Sequence, residues 1–229
     1  MKKRATTHHE EEEHAFSQSA GDLMAGLLFI FILLLMGALL RVQNQREIDT
    51  EIATRYDTIK TQLYIDLLEE FEDDLKSWRA TIDTSLCIRF QEPSMLFDFD
   101  EDRLKPLFKT ILNDFFPRYI RLLHLPQYRD HIVEIRIEGH TDSDGEYFHN
   151  MKLSQDRTRA VLKYCFKLMG PEEGDWAQRL ITANGLSSSQ PILVNGVEDK
   201  ALSRRVEFRV RTNAEEMLED IAKRRLEAQ

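Results

Sequence analysis

The sequence is poor in cysteine and has no excess of positive charge. Its two cysteines, Cys87 and Cys165, are too few for a disulfide framework or a four-thiolate zinc site. Cys165 falls on an apolar helical stripe and Cys87 has the opposite parity from its apolar neighbours, so we predict two unpaired structural thiols. With 31 basic and 40 acidic residues among 229, the net charge is −9. That balance argues against a direct nucleic-acid partner, which would need basic stripes.

Long apolar runs are also scarce, with one exception near the N-terminus. The mean hydropathy of −0.44 excludes a protein with several membrane spans. Within residues 15–40, however, Asp22 is the only charged side chain, and residues 23–40 carry no polar side chain. At about 1.5 Å per residue this segment reaches roughly 39 Å, which exceeds a hydrocarbon core of about 30 Å. A cleaved signal peptide has a shorter apolar region. We therefore predict one uncleaved transmembrane helix over residues 15–42, in contact with the lipid bilayer.

The charges that flank this helix bear on its orientation. Three basic residues at positions 2–4 favour a cytoplasmic N-terminus, whereas Arg41 and Arg46 on the other side weaken that preference. We expect residues 1–14 to be a cytoplasmic tail. Its histidines and glutamates at positions 8–14 are typical of a solvated tail rather than a metal site.

Asp22 is the residue of the span that most needs an explanation. A carboxylate inside a membrane is costly unless it is paired, hydrated or protonated, and such residues are by default functional candidates. Only seven uncharged residues of the segment precede Asp22. Position alone therefore leaves two interpretations open: an ion-carrying carboxylate, or a polar end at the headgroup level.

Residues 43–83 predict a helical stalk without internal glycine or proline. Its apolar positions recur with a mean step of about 3.8, which indicates a helical stripe rather than a strict heptad. One stripe on a charged helix needs a partner. We expect the stalk to continue the membrane helix and to pair in a homodimer; the alternative is that it packs against the chain's own C-terminal domain.

The C-terminal half predicts an α+β domain over residues 84–212. Apolar and polar residues alternate as in strands over 86–90, 133–137 and 206–210, and a short strand is expected near Ile181. Helical patterns occupy 102–120 and 152–169. This order indicates helices on one face of a small mixed sheet. A last amphipathic helix is expected over 213–229.

Two polar segments in this half carry the chemistry. They read I-E-G-H-T-D-S-D-G at 137–145 and N-M-K-L-S-Q-D-R at 150–157. A strand, a polar turn and a following helix would bring Asp142 and Arg157 to one cleft. Such a pair can hold a zwitterion through its ammonium and its carboxylate, or it can form a structural salt bridge.

A hydrolytic triad of His140, Asp142 and Ser154 is the enzymatic alternative. The sequence has no nucleophile elbow or oxyanion loop to accompany it, and the histidine and aspartate are only two residues apart. We therefore expect no enzymatic activity and no cofactor.

Residues 85–211 resemble the OmpA-like peptidoglycan-binding domain. The matching motifs are F-D-F-D…L-K-P at 97–106, G-H-T-D-x-x-G at 139–145, N-x-x-L-S-x-x-R at 150–157, G-x-x-x-x-x-P at 185–191 and R-R-V-E-F-R-V at 204–210. The resemblance implies that Asp142 and Arg157 hold the diaminopimelate of a peptidoglycan stem peptide. The other implied binding residues are Thr141, Asn150, Leu153 and Arg204. Thr158, Ser187 and Ser203 depart from the family pattern.

Residues 19–36 resemble the membrane segment of MotB-type stator proteins. In that family an aspartate near the cytoplasmic end carries the translocated ion, and Asp22 falls on its position. The resemblance implies a homodimer inside a ring of MotA-like (ZorA-like) subunits, driven by protons or, less favoured, by sodium. It also implies a bacterial inner-membrane protein with a periplasmic C-terminal domain.

Among stator families the chain is most similar to ZorB, the membrane subunit of Zorya anti-phage systems. Ala20-Gly21 precedes the aspartate where flagellar MotB has a tyrosine-alanine pair, and the 44–82 connection is short. A flagellar stator subunit and a passive wall anchor, in which Asp22 is incidental, remain the alternatives.

Overall fold

The computed structural model describes residues 3–91, 93–214 and 223, with side chains for residues 24–45, 47, 54, 58–91, 95–214 and 223. The predicted helix over 213–229 lies largely outside these residues. The chain divides into two compact units between Ile52 and Ala53. The elements are α1 (Lys3–Trp78), β1 (Ala80–Asp83), β2 (Cys87–Phe90), α2 (Pro93–Leu96), α3 (Pro106–Leu123), β3 (Ile132–His140), α4 (Tyr147–Phe166), α5 (Pro171–Gln178), β4 (Ile181–Gly185), β5 (Leu193–Val194), β6 (Val197–Glu198), α6 (Lys200–Ser203) and β7 (Arg205–Thr212).

The N-terminal unit consists of the first part of α1. Its stretch Met24–Gln45 is 22 residues long, none of it is buried, and it is apolar enough to cross a membrane. Asp22 lies on this helix two residues earlier, and its side chain is outside the described set. The predicted apolar N-terminal helix is confirmed.

The last part of α1 packs within the second unit. Leu63, Leu67 and Phe71 are fully buried there, at the helical spacing that the apolar stripe predicts. Arg118 of α3 donates to Glu70 Oε1 at 2.7 Å and to Asp74 Oδ2 at 2.8 Å. We expected the apolar stripe of the stalk to pair with a second copy of the chain. Over this part of the helix the stripe is instead covered by the chain's own domain, which was the alternative interpretation.

The second unit is built on a five-stranded mixed sheet of order β1-β2-β7-β3-β4. Within this sheet β3 and β4 run parallel and are connected through α4 and α5, and the other neighbours are antiparallel. The predicted strands and the two predicted long helices are present. β1 pairs with β2 from Ala80 onward, so the domain boundary predicted at residue 84 lies too far along the chain. The reason is that the turn between β1 and β2 lies within one hairpin of the domain and does not connect two domains.

The core lies between the helices and one face of the sheet. Phe115 of α3 contacts the rings of Phe71, Phe90 and Phe208 at centroid distances of 5.0–5.3 Å. Each fully buried ring of this kind contributes about 1.5–3 kcal/mol relative to exposure. Cys165 is also buried and unpaired, as predicted for both thiols.

Two glycines let α4 approach the sheet closely. A Cβ on Gly139 of β3 would lie 2.6 Å from Thr158 Cγ2 and 2.9 Å from the Ser154 carbonyl oxygen. A Cβ on Gly185 of β4 would lie 2.3 Å from the Gln155 amide nitrogen. Glycine at both positions therefore fixes α4, and with it Arg157, against the ends of β3 and β4.

Candidate functional site

The loop between β3 and α4 presents Asp142 at the end of the sheet. Asp142 Oδ1 accepts the Asp144 N–H at 3.1 Å, which closes a local turn. Beneath the loop, the Asn150 side chain donates to the carbonyl oxygens of Asp142 at 3.3 Å and Asp144 at 2.8 Å. The first turn of α4 thereby holds the backbone that carries the carboxylate.

The carboxylate of Asp142 pairs with Arg204, not with Arg157. Arg204 Nη1 donates to Asp142 Oδ2, and the Asp142 side chain is only 9% exposed while that of Arg204 is 40% exposed. The salt bridge between Asp142 and Arg157 that we considered from the sequence is absent among the described side chains. Arg204 follows α6 and reaches the loop across 62 residues of sequence.

Arg157 is held by backbone carbonyls. Its Nε donates to Glu101 O at 2.8 Å and its Nη2 donates to Asp98 O at 3.2 Å, while its guanidinium lies 4.9 Å from the centroid of the Phe97 ring. Burial is the largest influence on its pKa and lowers it, although Asp100 acts in the opposite direction. A guanidinium nevertheless stays charged at neutral pH. No described carboxylate lies within ion-pair distance of Arg157.

A cavity of about 330 Å³ brings the predicted arginines together. Arg157 and Arg204 both line it, as do Phe97 and the backbone end of β3. Asp142 does not line this cavity but borders it through its pairing with Arg204. The arrangement can accept an anionic group against the two guanidinium groups.

The remaining predicted residues have other surroundings. Thr141 is buried, and its N–H donates to Ser187 O at 2.9 Å, so it supports the loop from inside. Leu153 is half-buried and lines a separate surface depression under the 100–103 loop. Asn150 is a positioning residue. Of the predicted site residues, Asp142, Arg157 and Arg204 are thus the ones that place charges at the cavity and its border.

The sequence interpretation missed the hairpin that braces the Asp142 loop. β5 and β6 pair around Asn195 and Gly196, both with positive φ, and Glu198 accepts the Ser143 N–H at 3.1 Å. Lys200 Nζ lies 2.5 Å from Asp144 Oδ1. An Asn-Gly dipeptide between apolar residues is a strong hairpin signal, so the sequence contained the information.

Ser187 occupies a position where the family pattern has glycine. Its φ of 53° is in the left-handed region, which is costly for a residue with a Cβ. Two hydrogen bonds offset that cost: its N–H donates to Ser154 Oγ and its Oγ donates to Tyr147 O, both at 3.0 Å. Ser154 is thereby committed to the fold, and the triad of His140, Asp142 and Ser154 does not form.

The face of the sheet opposite the hydrophobic core carries a buried polar network around Glu207. Its carboxylate accepts from Arg89 and Arg205 at 2.6 Å and from Arg209 at 2.8 Å. The Cys87 thiol donates to it at 3.3 Å, and burial raises the pKa of that thiol. Burial acts to raise the pKa of Glu207, but the guanidinium groups of Arg205 and Arg89 outweigh it and hold that pKa far below its usual range.

Glu138, His140 and Glu207 are the described residues whose ligand atoms lie close enough to hold a metal ion, all within 4.8 Å. Both nitrogens of His140 lack a hydrogen-bond partner among the described atoms, and burial lowers its pKa to about 4. The surrounding arginines oppose a cation, and the Glu207 oxygens are already occupied. The network is therefore structural.

Comparison with known proteins agrees with this architecture. The OmpA family matches residues 96–205. A MotB-like protein from Desulfovibrio vulgaris has the same fold, with a TM-score of 0.51 and 21% identity over 70% of this chain and 98% of that one. The Zorya protein ZorB of Escherichia coli strain Crooks is 43% identical over 217 residues, which cover 90% of this chain and 91% of the relative.

A second Escherichia coli protein with the same name is 26% identical over 211 residues, covering 88% of this chain and 82% of that protein. Both alignments therefore run through the apolar helix as well as the C-terminal domain. The likeness extends over nearly the full length of each protein, with an OmpA-family domain behind one apolar helix. The chain belongs to the ZorB family.

Proposed function

We propose that this chain is the wall-anchored inner-membrane subunit of an ion-driven rotary motor that acts in anti-phage defence. Its N-terminus lies in the cytoplasm, Met24–Gln45 crosses the membrane, and the OmpA-family domain lies in the periplasm. The domain binds the stem peptide of peptidoglycan, and the span takes part in ion transfer. The subunit works as a homodimer inside a ring of MotA-like or ZorA-like proteins.

The observation that carries the proposal is the union of two features in one chain of the ZorB family. An apolar helix begins beside the carboxylate of Asp22, and the domain that follows presents Arg157 and Arg204 to a cavity. A motor whose central subunit must not rotate needs both an ion-binding group and an attachment. Ion movement supplies about 2.3 kcal/mol per charge for each 100 mV of membrane potential.

At the wall, the cavity offers a guanidinium for a carboxylate of diaminopimelate. Arg157 is positioned for this by the carbonyls of Asp98 and Glu101 and by the ring of Phe97. Asp142, on the bordering loop, is the acceptor for the ligand's ammonium that the family resemblance implies. Thr141 and Asn150 hold that loop, and Leu153 lies on the same helix as Arg157.

In the membrane, Asp22 is the group that takes up and releases the ion. We favour a proton, because a carboxylate that enters an apolar environment is readily neutralised by one. Function that persists when sodium in the medium is replaced by potassium would agree with a proton, whereas loss under that exchange would indicate sodium.

The test is phage protection by cells that carry the complete defence system. Asp22→Asn keeps the size of the side chain but removes the ionisable group, so we expect protection to be lost while membrane abundance stays unchanged. Glu47→Gln is the matched control, since Glu47 is an exposed acid on the same helix that contacts only Gln43 among described side chains. Undiminished protection by Asp22→Asn would contradict a role in ion transfer and favour a passive wall anchor. Loss of swimming after deletion of the gene for this chain would indicate a flagellar stator.

A further inference from the structure

Residues 63–78 of α1, which we call the docked segment, carry a charged stripe beside their buried apolar stripe. Three acids recur there every four residues, at Asp66, Glu70 and Asp74. A spacing of four places side chains on one face of a helix, one above the other. The docked segment therefore offers the rest of the second unit both an apolar and an acidic surface along the same turns.

Both ends of the acidic stripe have partners in the rest of the second unit. Tyr128, which follows α3, donates its hydroxyl to Asp66 Oδ2 at 2.5 Å. Arg118 of α3 donates to the carboxylates of Glu70 and Asp74, and its Nη2 also donates to the Glu70 carbonyl oxygen at 2.5 Å. Asp66 and Asp74 are about 12 Å apart along the helix axis, at about 1.5 Å per residue. The helix is thus held at two levels rather than at one point.

The backbone alone would not hold the docked segment in this way. α1 ends at Trp78, and Arg79 is the single residue between it and β1. One linking residue contributes two soft backbone dihedrals, so by itself it fixes neither the direction nor the rotation of the helix that precedes it. The side-chain contacts of the docked segment therefore prevent α1 from pivoting where it joins the sheet.

Before the docked segment, α1 continues from the apolar stretch without a flexible linker. Residues 46–62 are helical and contain neither glycine nor proline, the residues least favourable in a helix interior. A flexible linker transmits tension, but its rotating bonds yield to twisting. A helix resists twisting, because its i→i−4 hydrogen bonds would have to break.

We propose that the docked segment is a torsional lock, which passes the reaction torque of the motor from the membrane helix to the wall-binding domain. This inference rests on the proposed function and specifies how its two parts are joined. A ring that rotates around a central dimer exerts an equal and opposite torque on that dimer. If α1 could pivot where it meets the domain, the membrane helices would turn with the ring while the domain stays on the wall. Arg118 and Tyr128 are positioning residues that prevent this pivot.

Two insertions of equal length between Thr54 and Arg55, ahead of the docked segment, test the inference. One is a flexible glycine-serine segment of eleven residues, and the other is an alanine-rich helical segment of eleven residues, which completes about three turns. Phage protection is measured in cells that carry the complete defence system, together with membrane abundance and sedimentation with peptidoglycan sacculi. We expect the flexible insertion to lower protection at least about tenfold and the helical insertion to change it less than about threefold. Abundance and sedimentation should match those of the unmodified chain in both.

A second variant loosens the lock itself. Arg118→Gln combined with Tyr128→Phe removes the partners of the acidic stripe, and Arg121→Gln, which changes an exposed arginine of α3, is the control. We expect the double variant to lose protection at least about tenfold and still to sediment with sacculi. Hydrogen exchange distinguishes undocking from general destabilisation: amides of the docked segment should exchange at least about tenfold faster than in the control, while those of β3 and β7 exchange as before.

The outcomes separate this inference from the function on which it rests. Full protection by the flexible insertion would overturn the inference and leave a motor subunit joined to its anchor by a simple tether. Loss of protection by both insertions would also overturn it, because length rather than twisting would then be limiting. Full protection by a double variant with an undocked segment would overturn it as well; if that variant fails to fold, the insertions decide alone. If Asp22→Asn protects in the same assay, the proposed motor function itself fails.

Discussion

At the scale of single residues, the site depends on which partner each charge finds. Asp142 and Arg204 are 62 positions apart in sequence, and α6 brings them together. Arg157 is placed by α4, whose close approach requires glycine at positions 139 and 185. The motifs that resemble the OmpA-like family predicted these three charged side chains as site residues, and their roles remain predictions. Their pairing could not be predicted, because it depends on how distant loops fold over the sheet end.

His140 provides a prediction about pH. Its pKa in the folded protein is about 4, because burial and the Arg205 charge disfavour the imidazolium, whereas the pKa of an unfolded histidine is about 6.5. Between these values the unfolded chain takes up a proton that the folded domain does not. Stability therefore falls as pH decreases from 6.5 towards 4, by about 2 kcal/mol at pH 5.

Urea unfolding at pH 7.5 and pH 5, followed by the fluorescence of Trp78 and Trp176, measures this loss, since both tryptophans lie in the second unit. Above pH 5 the lowered pKa of Glu207 adds little, because its effect develops below about 4.5. His140→Gln removes the titrating group, so the free energy of unfolding should be nearly the same at pH 7.5 and pH 5. An unchanged pH dependence in this variant would refute the assignment to His140.

At the scale of elements, the last turns of α1 are the main departure from the sequence prediction. The apolar stripe was correctly identified as helical, but a stripe of this kind fits a dimer partner or an intramolecular surface equally well. The aromatic residues of α3 decide between them, because Phe115 packs against Phe71 and Trp78. Such long-range complementarity is not visible in helical periodicity alone.

A cavity substitution tests whether this segment belongs to the domain. Phe71→Ala removes a fully buried ring and should destabilise the second unit by about 3–5 kcal/mol, measured from the urea midpoint of tryptophan fluorescence. Ile65→Ala is the matched control on the same helix, because Ile65 is 38% exposed and should cost less than about 1 kcal/mol. A Phe71→Ala midpoint equal to that of the unmodified chain would mean that the segment folds independently.

The β5–β6 hairpin shows a different limit of sequence interpretation. Two-residue strands carry too little alternation to be recognised by periodicity, although the turn residues Asn195 and Gly196 were informative. The hairpin matters because Glu198 and Lys200 brace the loop that carries Asp142. Here the local turn chemistry predicts more than the hydrophobic pattern does.

At the scale of the whole molecule, the sequence is read best in two parts. The apolar helix and the order of strands and helices follow from hydropathy and alternation, and the structure agrees with both. The polar average of the chain comes mainly from the second unit, where acids and bases pair across the sheet. The proposed function assigns ion transfer to Asp22 in one part and wall binding to Arg157 in the other, so each part can be tested alone.

Wall anchoring is the central claim, and sedimentation with purified peptidoglycan sacculi tests it most directly. The full-length protein in detergent is mixed with sacculi that contain diaminopimelate, and the bound fraction is measured after centrifugation. The unmodified chain is compared with Arg157→Gln and with the control Arg121→Gln, which changes an exposed arginine of α3. We predict that the unmodified chain and Arg121→Gln sediment with the sacculi. At equal protein concentration, the amount of Arg157→Gln left in the supernatant should be at least tenfold larger than that of the unmodified chain. Sedimentation of Arg157→Gln to the same extent as the unmodified chain would contradict the account.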